Sequence, residues 1–301
     1  MSVALLFSDL EPLPQDDGPE PVVRIAYPDA FQATMDIFRR VLVIGEYSER
    51  ALQLSAEVID HNAANYTAWQ YRRRCLAELH RESAPDVRLA AWRAELVYCQ
   101  QVCEGNLKNY QVWFHRRACV TELSDPSEEL GFVAAVLEDD AKNYHAWGHR
   151  QWVLLTFGLW DGELEYIEKL LQDDLRNNSA WNHRYFVVER TSDLSDPAVV
   201  EREADYALRY IERAPSNQSP WNYMKGVARN VGFARVPQAR AACERHGQGE
   251  PACVEALALL VDICLADGAP PDEARDLCVR LKGLDPIRAR YWKWRGEQLA
   301  A

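Results

Sequence analysis

Five nine-residue windows constrain what this chain can fold into more than any other feature. They read NYTAWQYRR from Asn65, NYQVWFHRR from Asn109, NYHAWGHRQ from Asn143, NNSAWNHRY from Asn177 and NQSPWNYMK from Asn217, and in each an asparagine stands four residues before a tryptophan. The tryptophans fall at 69, 113, 147, 181 and 221, at intervals of 44, 34, 34 and 40 residues. A period of this size marks a repeat architecture. A weaker sixth copy, IRARYWKWR around Trp292, has Arg288 where the asparagine would be.

Asparagine accepts a hydrogen bond from a first-turn N–H at a helix start and also tolerates the left-handed conformation that ends a helix, so each window reads as the start of a helix. The tryptophan one turn in is expected to bury its ring against the adjacent helix. An arginine three residues later (72, 116, 150, 184) lies on nearly the same face. Between windows run second patterns with apolar residues three and four apart, DVRLAAWRAELVYCQQVC (86–103), SEELGFVAAVLEDD (127–140), DGELEYIEKLLQDD (161–174) and DPAVVEREADYALRYIERA (196–214), each opened by Ser, Asp or Asp-Pro. No stretch alternates convincingly with period two. The expected fold is all-α, an α-α superhelix in which a crescent of antiparallel helical hairpins buries each apolar face against its neighbours. Residues 9–21 (DLEPLPQDDGPEP) are acidic and proline-containing without apolar periodicity, so residues 1–24 are expected to form a flexible leader and 25–301 a single helical-repeat domain. This replaces the two domains that 301 residues would otherwise suggest.

A net charge of −12 argues against a nucleic-acid partner, which needs a basic face. The eight cysteines include no Cys-x2-Cys pair, so neither a zinc ribbon nor a redox motif follows, and they read as small core residues of a cytoplasmic protein. VALLF (3–7) is too short for a signal peptide, and no apolar run approaches the length of a transmembrane segment. The sequons at Asn65, Asn177 and Asn217 coincide with helix starts and read as caps.

Because the chain repeats, it can be compared with itself. A residue type shared by all copies is architectural, whereas one that varies at an equivalent first-turn position is free to serve function. His115, His149 and His183 follow their tryptophans by two residues, where other copies have Tyr71 and Tyr223, so the place calls for a half-buried ring with a polar tip. His145 instead occupies a variable position shared with Thr67, Gln111, Ser179 and Ser219. His145 and His149 have the spacing of a metal-binding pair, but no third ligand is suggested, and no metal site is assigned. Five residues before tryptophan stand Ala64, Lys108, Lys142, Arg176 and Ser216, in a chain with only six lysines. Two readings of Lys108 fit. It is either a solvated cation ending the preceding helix, or part of a cationic rim in which Lys108, Tyr110, Tyr144, His145 and unpaired N–H groups of neighbouring helix starts face an anion such as phosphate or carboxylate. No Gly-x-Gly-x-x-Gly, P-loop, His-Glu-x-x-His or Gly-x-Ser-x-Gly motif is present.

KNYQVWFHRR (108–117), DAKNYHAWGHRQW (140–152), RNNSAWNHRYF (176–186) and SNQSPWNYMKG (216–226) resemble the α subunit shared by protein farnesyltransferase and protein geranylgeranyltransferase type I, in order over roughly residues 25–300. The α subunit of Rab geranylgeranyltransferase is a related alternative, and a helical-repeat scaffold without chemistry is another. The resemblance implies an obligate heterodimer with a prenyltransferase β subunit. That partner would hold the Zn2+ and most of the isoprenoid pocket, with Mg2+ used in farnesyl transfer and no cofactor bound by this chain. The implied reaction moves a farnesyl or geranylgeranyl group from its diphosphate to the cysteine of a C-terminal Cys-aliphatic-aliphatic-X motif, on substrates such as Ras-like or Rho-like GTPases. By the same resemblance Lys108 is the catalytic lysine facing the leaving diphosphate, with Tyr110, Tyr144 and His145 in the diphosphate and substrate region. Gln111 matches the residue that binds the peptide carboxylate, and Ala64 and Tyr66 the pocket for the last residue. Asn109, Arg116, Asn143 and Trp147 match supporting positions.

Overall fold

A computed structural model describes residues 6–268 and 270–299, and among these every regular element is a helix. The chain divides into two compact units, Met1–Gly158 and Leu159–Ala301. The first contains α1 (Asp29–Ile44), α2 (Glu49–His61), α3 (Tyr66–Leu79), α4 (Pro85–Glu104), α5 (Tyr110–Leu123), α6 (Glu129–Asp139) and α7 (Tyr144–Phe157). The second contains α8 (Glu163–Asp173), α9 (Asn178–Thr191), α10 (Pro197–Arg213), α11 (Gln218–Arg229), α12 (Pro237–Gly247), α13 (Val254–Ala266), α14 (Pro271–Leu284) and α15 (Ala289–Gln298). Each window helix packs on the helix before it: α3 on α2, α5 on α4 and α7 on α6 in the first unit, α9 on α8 and α11 on α10 in the second. Window helices also meet the next in line, α3 with α5 and α5 with α7, and in the second unit α9 with α11.

All five asparagines cap their helices. Asn65 Oδ1 accepts from the Ala68 N–H, Asn109 from Gln111, Asn143 from His145 and Ala146, Asn177 from Ser179 and Ala180, and Asn217 from Ser219. None uses the left-handed conformation; all five lie in extended backbone. Each cap contributes about 0.5–2 kcal/mol to its helix. The opening signals of the partner helices fare less uniformly. Asp196 caps α10 through the Ala198 N–H, but Asp86 lies inside the first turn of α4, and α6 and α8 start at Glu129 and Glu163 after Glu128 and Gly162 with no side-chain cap.

The tryptophans add a bond of their own. Each indole N–H donates to the carbonyl six residues earlier: Trp69 to Ala63 at 2.8 Å, Trp113 to Leu107 at 2.8 Å, Trp147 to Ala141 at 3.0 Å, Trp181 to Leu175 at 3.0 Å and Trp221 to Pro215 at 2.8 Å. The buried ring thus ties the turn before the helix to the first turn within it, which is why the Asn-x3-Trp spacing is constant. In the sixth copy, which lacks the asparagine, Trp292 donates to the Asp285 carboxylate at 2.8 Å instead.

Buried carboxylates join successive window helices. Glu95 on α4 accepts from Arg72 of α3 at 2.6 and 2.7 Å and meets His115 Nε2 of α5 at 2.6 Å. Glu129 on α6 does the same for Arg116 of α5, at 2.9 and 2.6 Å, and His149 of α7, at 2.7 Å. In the second unit Glu203 on α10 joins Arg184 of α9 to the Tyr223 hydroxyl of α11. The histidines expected as half-buried rings are in fact buried, because their polar tips end on carboxylates inside the protein and not in water. Burial pushes the Glu95 and Glu129 carboxyls up, yet hydrogen bonds from histidine and arginine outweigh it and hold both below their ordinary value.

Of the segment read as a flexible leader, residues 7–13 are seated on the helices that follow, and residues 1–5 lie outside the described residues. Phe7 is buried with the Arg50 guanidinium 4.6 Å from its ring, Arg40 donates to the Glu11 carbonyl at 2.7 Å, and Leu13 and Asp36 share a main-chain hydrogen bond of 3.1 Å. The arginines of α1 and α2 supply the donors that an acidic, proline-containing segment cannot supply to itself. Val22, Val23 and Ile25 further along are exposed.

Candidate functional site

The turn from α4 to α5 and the start of α7 bring together the residues predicted for an anion. Leu107, just before Lys108, offers its carbonyl to two donors, the Trp113 indole at 2.8 Å and the Asn143 side-chain amide at 3.2 Å. Lys108 therefore rises from a turn held both by its own helix and by the next. Its side chain is 80% exposed, with Nζ 3.2 Å from Asp140 Oδ2 in the turn before α7.

Three rings cluster at the same helix starts. Tyr110 and Tyr144 are exposed at the first residues of α5 and α7. His145 lies between them, edge-on to Tyr110 with ring centres 4.3 Å apart and edge-on to Tyr144 at 5.6 Å, while the Trp113 ring lies parallel to it at 6.5 Å. Burial pushes the His145 imidazole below its ordinary value, opposed by a hydrogen bond to the Lys108 main chain. A neutral imidazole beside a flexible ammonium and two phenols makes a patch rich in hydrogen-bond donors, suited to an oxyanion. The expected row of unpaired N–H groups needs correcting, because the asparagine caps already occupy those of Gln111, His145 and Ala146. The rim also contains a negative charge, Asp140, which was not expected there.

The peptide-binding candidates stand outside this ring cluster. Gln111 is half-buried in the first turn of α5, and Tyr66 is exposed at the start of α3. Ala64 borders a groove of about 780 Å³ together with Asn62, Tyr98, Asn106 and Asn109. The four supporting candidates are structural in their contacts. Asn109 and Asn143 cap, Trp147 is buried with its indole N–H on Ala141, and Arg116 is buried against Glu129 with its guanidinium 3.5 Å from the Phe132 ring centre. Lys142 is exposed, and its main-chain N–H donates to Asp140 Oδ1 at 3.2 Å.

The carboxylates of the frame escaped the sequence reading. Glu95, Glu129, Glu163 and Glu203 each stand 20 residues before the ring they contact, His115, His149, His183 and Tyr223. A search for residues at fixed distance from the tryptophans would have found them. Among the described residues no group of three or more His, Cys, Asp or Glu side chains is placed to hold a metal ion. Among the described residues no helix is long and apolar enough to cross a membrane.

Helix pairs repeated at this spacing, with the conserved geometry of cap, indole and buried carboxylate, define a helical-repeat protein. The pattern described as protein prenyltransferase alpha subunit repeat matches residues 48–79, 92–123, 126–157, 160–191 and 200–231. The chain belongs to the protein prenyltransferase α-subunit family. It is 41% identical over 313 residues to protein farnesyltransferase/geranylgeranyltransferase type-1 subunit alpha of Solanum lycopersicum, covering 96% of this chain and 88% of that one. To the protein of the same name from Pisum sativum it is 38% identical over 318 residues, covering 97% and 93%. Among solved structures, a chain of Candida albicans protein geranylgeranyltransferase-I complexed with GGPP superposes with a TM-score of 0.83 at 28% identity, covering 97% of this chain and 98% of that chain.

Proposed function

We propose that this chain is the α subunit of a heterodimeric protein prenyltransferase, supplying one edge of a site completed by a β subunit. The near full-length likeness to farnesyltransferase/geranylgeranyltransferase type-1 α subunits supports this reading. The observation that carries the site assignment is the group of exposed Lys108, Tyr110 and Tyr144 around the half-buried His145 at adjoining helix starts. In the transfer, a carbon–sulfur bond forms at C1 of the prenyl group as the C1–oxygen bond to diphosphate breaks, and both bonding electrons leave with the diphosphate. The Lys108 ammonium meets the charge that grows on those oxygens, an interaction stronger in the transition state than with the intact donor. Tyr110 and Tyr144 offer hydroxyl donors to the same oxygens, and His145, hydrogen-bonded to the Lys108 main chain, packs between their rings. Gln111 would hold the peptide carboxylate through its amide N–H groups, with Ala64 and Tyr66 shaping the space for the last side chain. Zn2+ is assigned to the β subunit, and Mg2+ to farnesyl transfer.

The expected acceptors are proteins ending in Cys-aliphatic-aliphatic-X, of the Ras-like and Rho-like kinds. The expected compartment is the cytoplasm, which suits eight free cysteines. Coexpression tests the reading directly. The chain alone should transfer no prenyl group to a Cys-terminated acceptor peptide, and the chain with a β subunit should; transfer by the isolated chain would overturn it.

A further inference from the structure

Asp140 holds one carboxylate oxygen, Oδ2, 3.2 Å from the Lys108 ammonium nitrogen. Its other oxygen accepts the Lys142 main-chain N–H at 3.2 Å, so the carboxylate is fixed to its own turn, while the lysine side chain is 80% exposed. That turn does not require the charge. The place seven residues before tryptophan holds Asn62, Asn106, Asp140, Asp174 and Ala214 in the five windows. Asn62 Oδ1 accepts the Ala64 N–H at 3.0 Å, and Asp174 Oδ1 the Arg176 N–H at 2.9 Å, over the same two-residue step. A neutral amide therefore builds the turn as well as a carboxylate does. What the negative charge at 140 adds is a counter-ion for Lys108.

Building on the reading of Lys108 as the group that meets the leaving diphosphate, we infer that Asp140 is an exchangeable counter-ion competing with the prenyl diphosphate for that ammonium. It occupies Lys108 in the free site and yields it when the diphosphate arrives. An ion pair this exposed is weak, so a group carrying more than one negative charge displaces it. Its effect is on affinity: the donor must first displace the carboxylate, and the step from bound donor to transition state is left as it is.

The test uses the heterodimer with its β subunit, farnesyl diphosphate or geranylgeranyl diphosphate as probe, equilibrium binding, and single-turnover rates with an acceptor peptide. Asp140→Asn keeps the turn and removes the charge; Asp174→Asn makes the same change in a turn without Lys108. Asp140→Asn is expected to tighten prenyl diphosphate binding by about two- to fivefold, the scale of an exposed ion pair, with no gain in the single-turnover rate constant. In a Lys108→Ala background it should leave binding unchanged, and Asp174→Asn should change neither quantity. Unchanged binding after Asp140→Asn would overturn the inference. Equal tightening with and without Lys108 would also do so, since the carboxylate would then act on the diphosphate directly. A faster chemical step would overturn it too, because Asp140 would then oppose the transition state more than the bound donor. The underlying reading fails separately: a normal single-turnover rate for Lys108→Ala removes both, whereas a slow rate with unchanged Asp140→Asn binding removes the counter-ion alone.

Discussion

The turn before α5 and the turn before α9 are built the same way and carry different chemistry. Leu107 receives the Trp113 indole and the Asn143 amide; Leu175 receives the Trp181 indole at 3.0 Å and the Asn217 amide at 2.8 Å. On the first frame stand Lys108, Tyr110 and Gln111, with Tyr144 and His145 on the following window. The second frame holds Arg176, Asn178 and Ser179, followed by Gln218 and Ser219. The clamps are alike, so they do not specify the site. Stability lies in the cap, the indole and the buried carboxylate, and the proposed function draws on the first-turn residues laid over them.

The largest expected effect tests the shared frame. Glu129→Gln leaves Arg116 buried beside a neutral amide, and Glu203→Gln does the same to Arg184. Each should cost about 3–5 kcal/mol, the usual penalty for breaking one side of a buried ion pair, read as a lowered denaturation midpoint of the heterodimer. A marked difference between the two variants would break the claim that the frames are equivalent.

The next effect separates the frames. Lys108→Ala should slow single turnover by about 10²–10³-fold, as loss of one transition-state donor does, with prenyl diphosphate binding largely kept. Arg176→Ala should leave that rate unchanged. Equal rates for the two variants would erase the distinction.

A smaller effect combines both roles. Asn143→Ala and Asn217→Ala each remove a cap and the second donor on a turn carbonyl, and each should destabilise by about 1–2 kcal/mol. Only Asn143→Ala should also slow transfer, because the Leu107 turn carries Lys108.

The smallest effect is a pH dependence. Burial pushes the His115 and His149 imidazoles below their ordinary value of 6.5, against the pull of the hydrogen bonds they donate to Glu95 and Glu129. The folded protein keeps them neutral while the unfolded chain takes up protons. Their contribution is therefore whole above about pH 6.5 and declines as pH falls from there toward the folded values, by less than about 1 kcal/mol per histidine at about pH 6. Tyr223, which faces Glu203 in the equivalent place, is pushed up by burial and stays un-ionised over this range. Ring-proton NMR should find His115 and His149 titrating below the ordinary 6.5, and an ordinary titration would show that the carboxylates offset the burial.

The frame was largely legible in the sequence because it repeats. Asparagine four before tryptophan, with arginine three after, could be read as cap, wedge and same-face partner, and each is found so. The carboxylates were not legible by residue type, since one glutamate among 46 acidic residues carries no signal. Nor does their distance from the arginine help, because Arg72 to Glu95, Arg116 to Glu129 and Arg184 to Glu203 span 23, 13 and 19 residues. The site was legible only as a departure from the repeat. His145 stood out because its neighbours in register are Thr67, Gln111, Ser179 and Ser219, but Asp140 did not, because asparagine and aspartate make the same turn.

The twenty-residue separation of glutamate and ring has a consequence for how such a chain tolerates change in length. It comprises the helix from the glutamate onward, one tight turn and the first turn and a half of the next helix, clamped at both ends, so an added residue there would pull a buried carboxylate off its partners. The other half of each period contains the equally long loops 80–84, 124–128 and 192–196 and the helical turns before the glutamate, which run from Pro85 to Glu95 in α4 and from Pro197 to Glu203 in α10 but are missing in α6, where Glu129 is the first residue. Changes of length belong in that half, and the longest interval between windows is accommodated on that side. Each repeat behaves as a fixed ruler joined to an adjustable spacer.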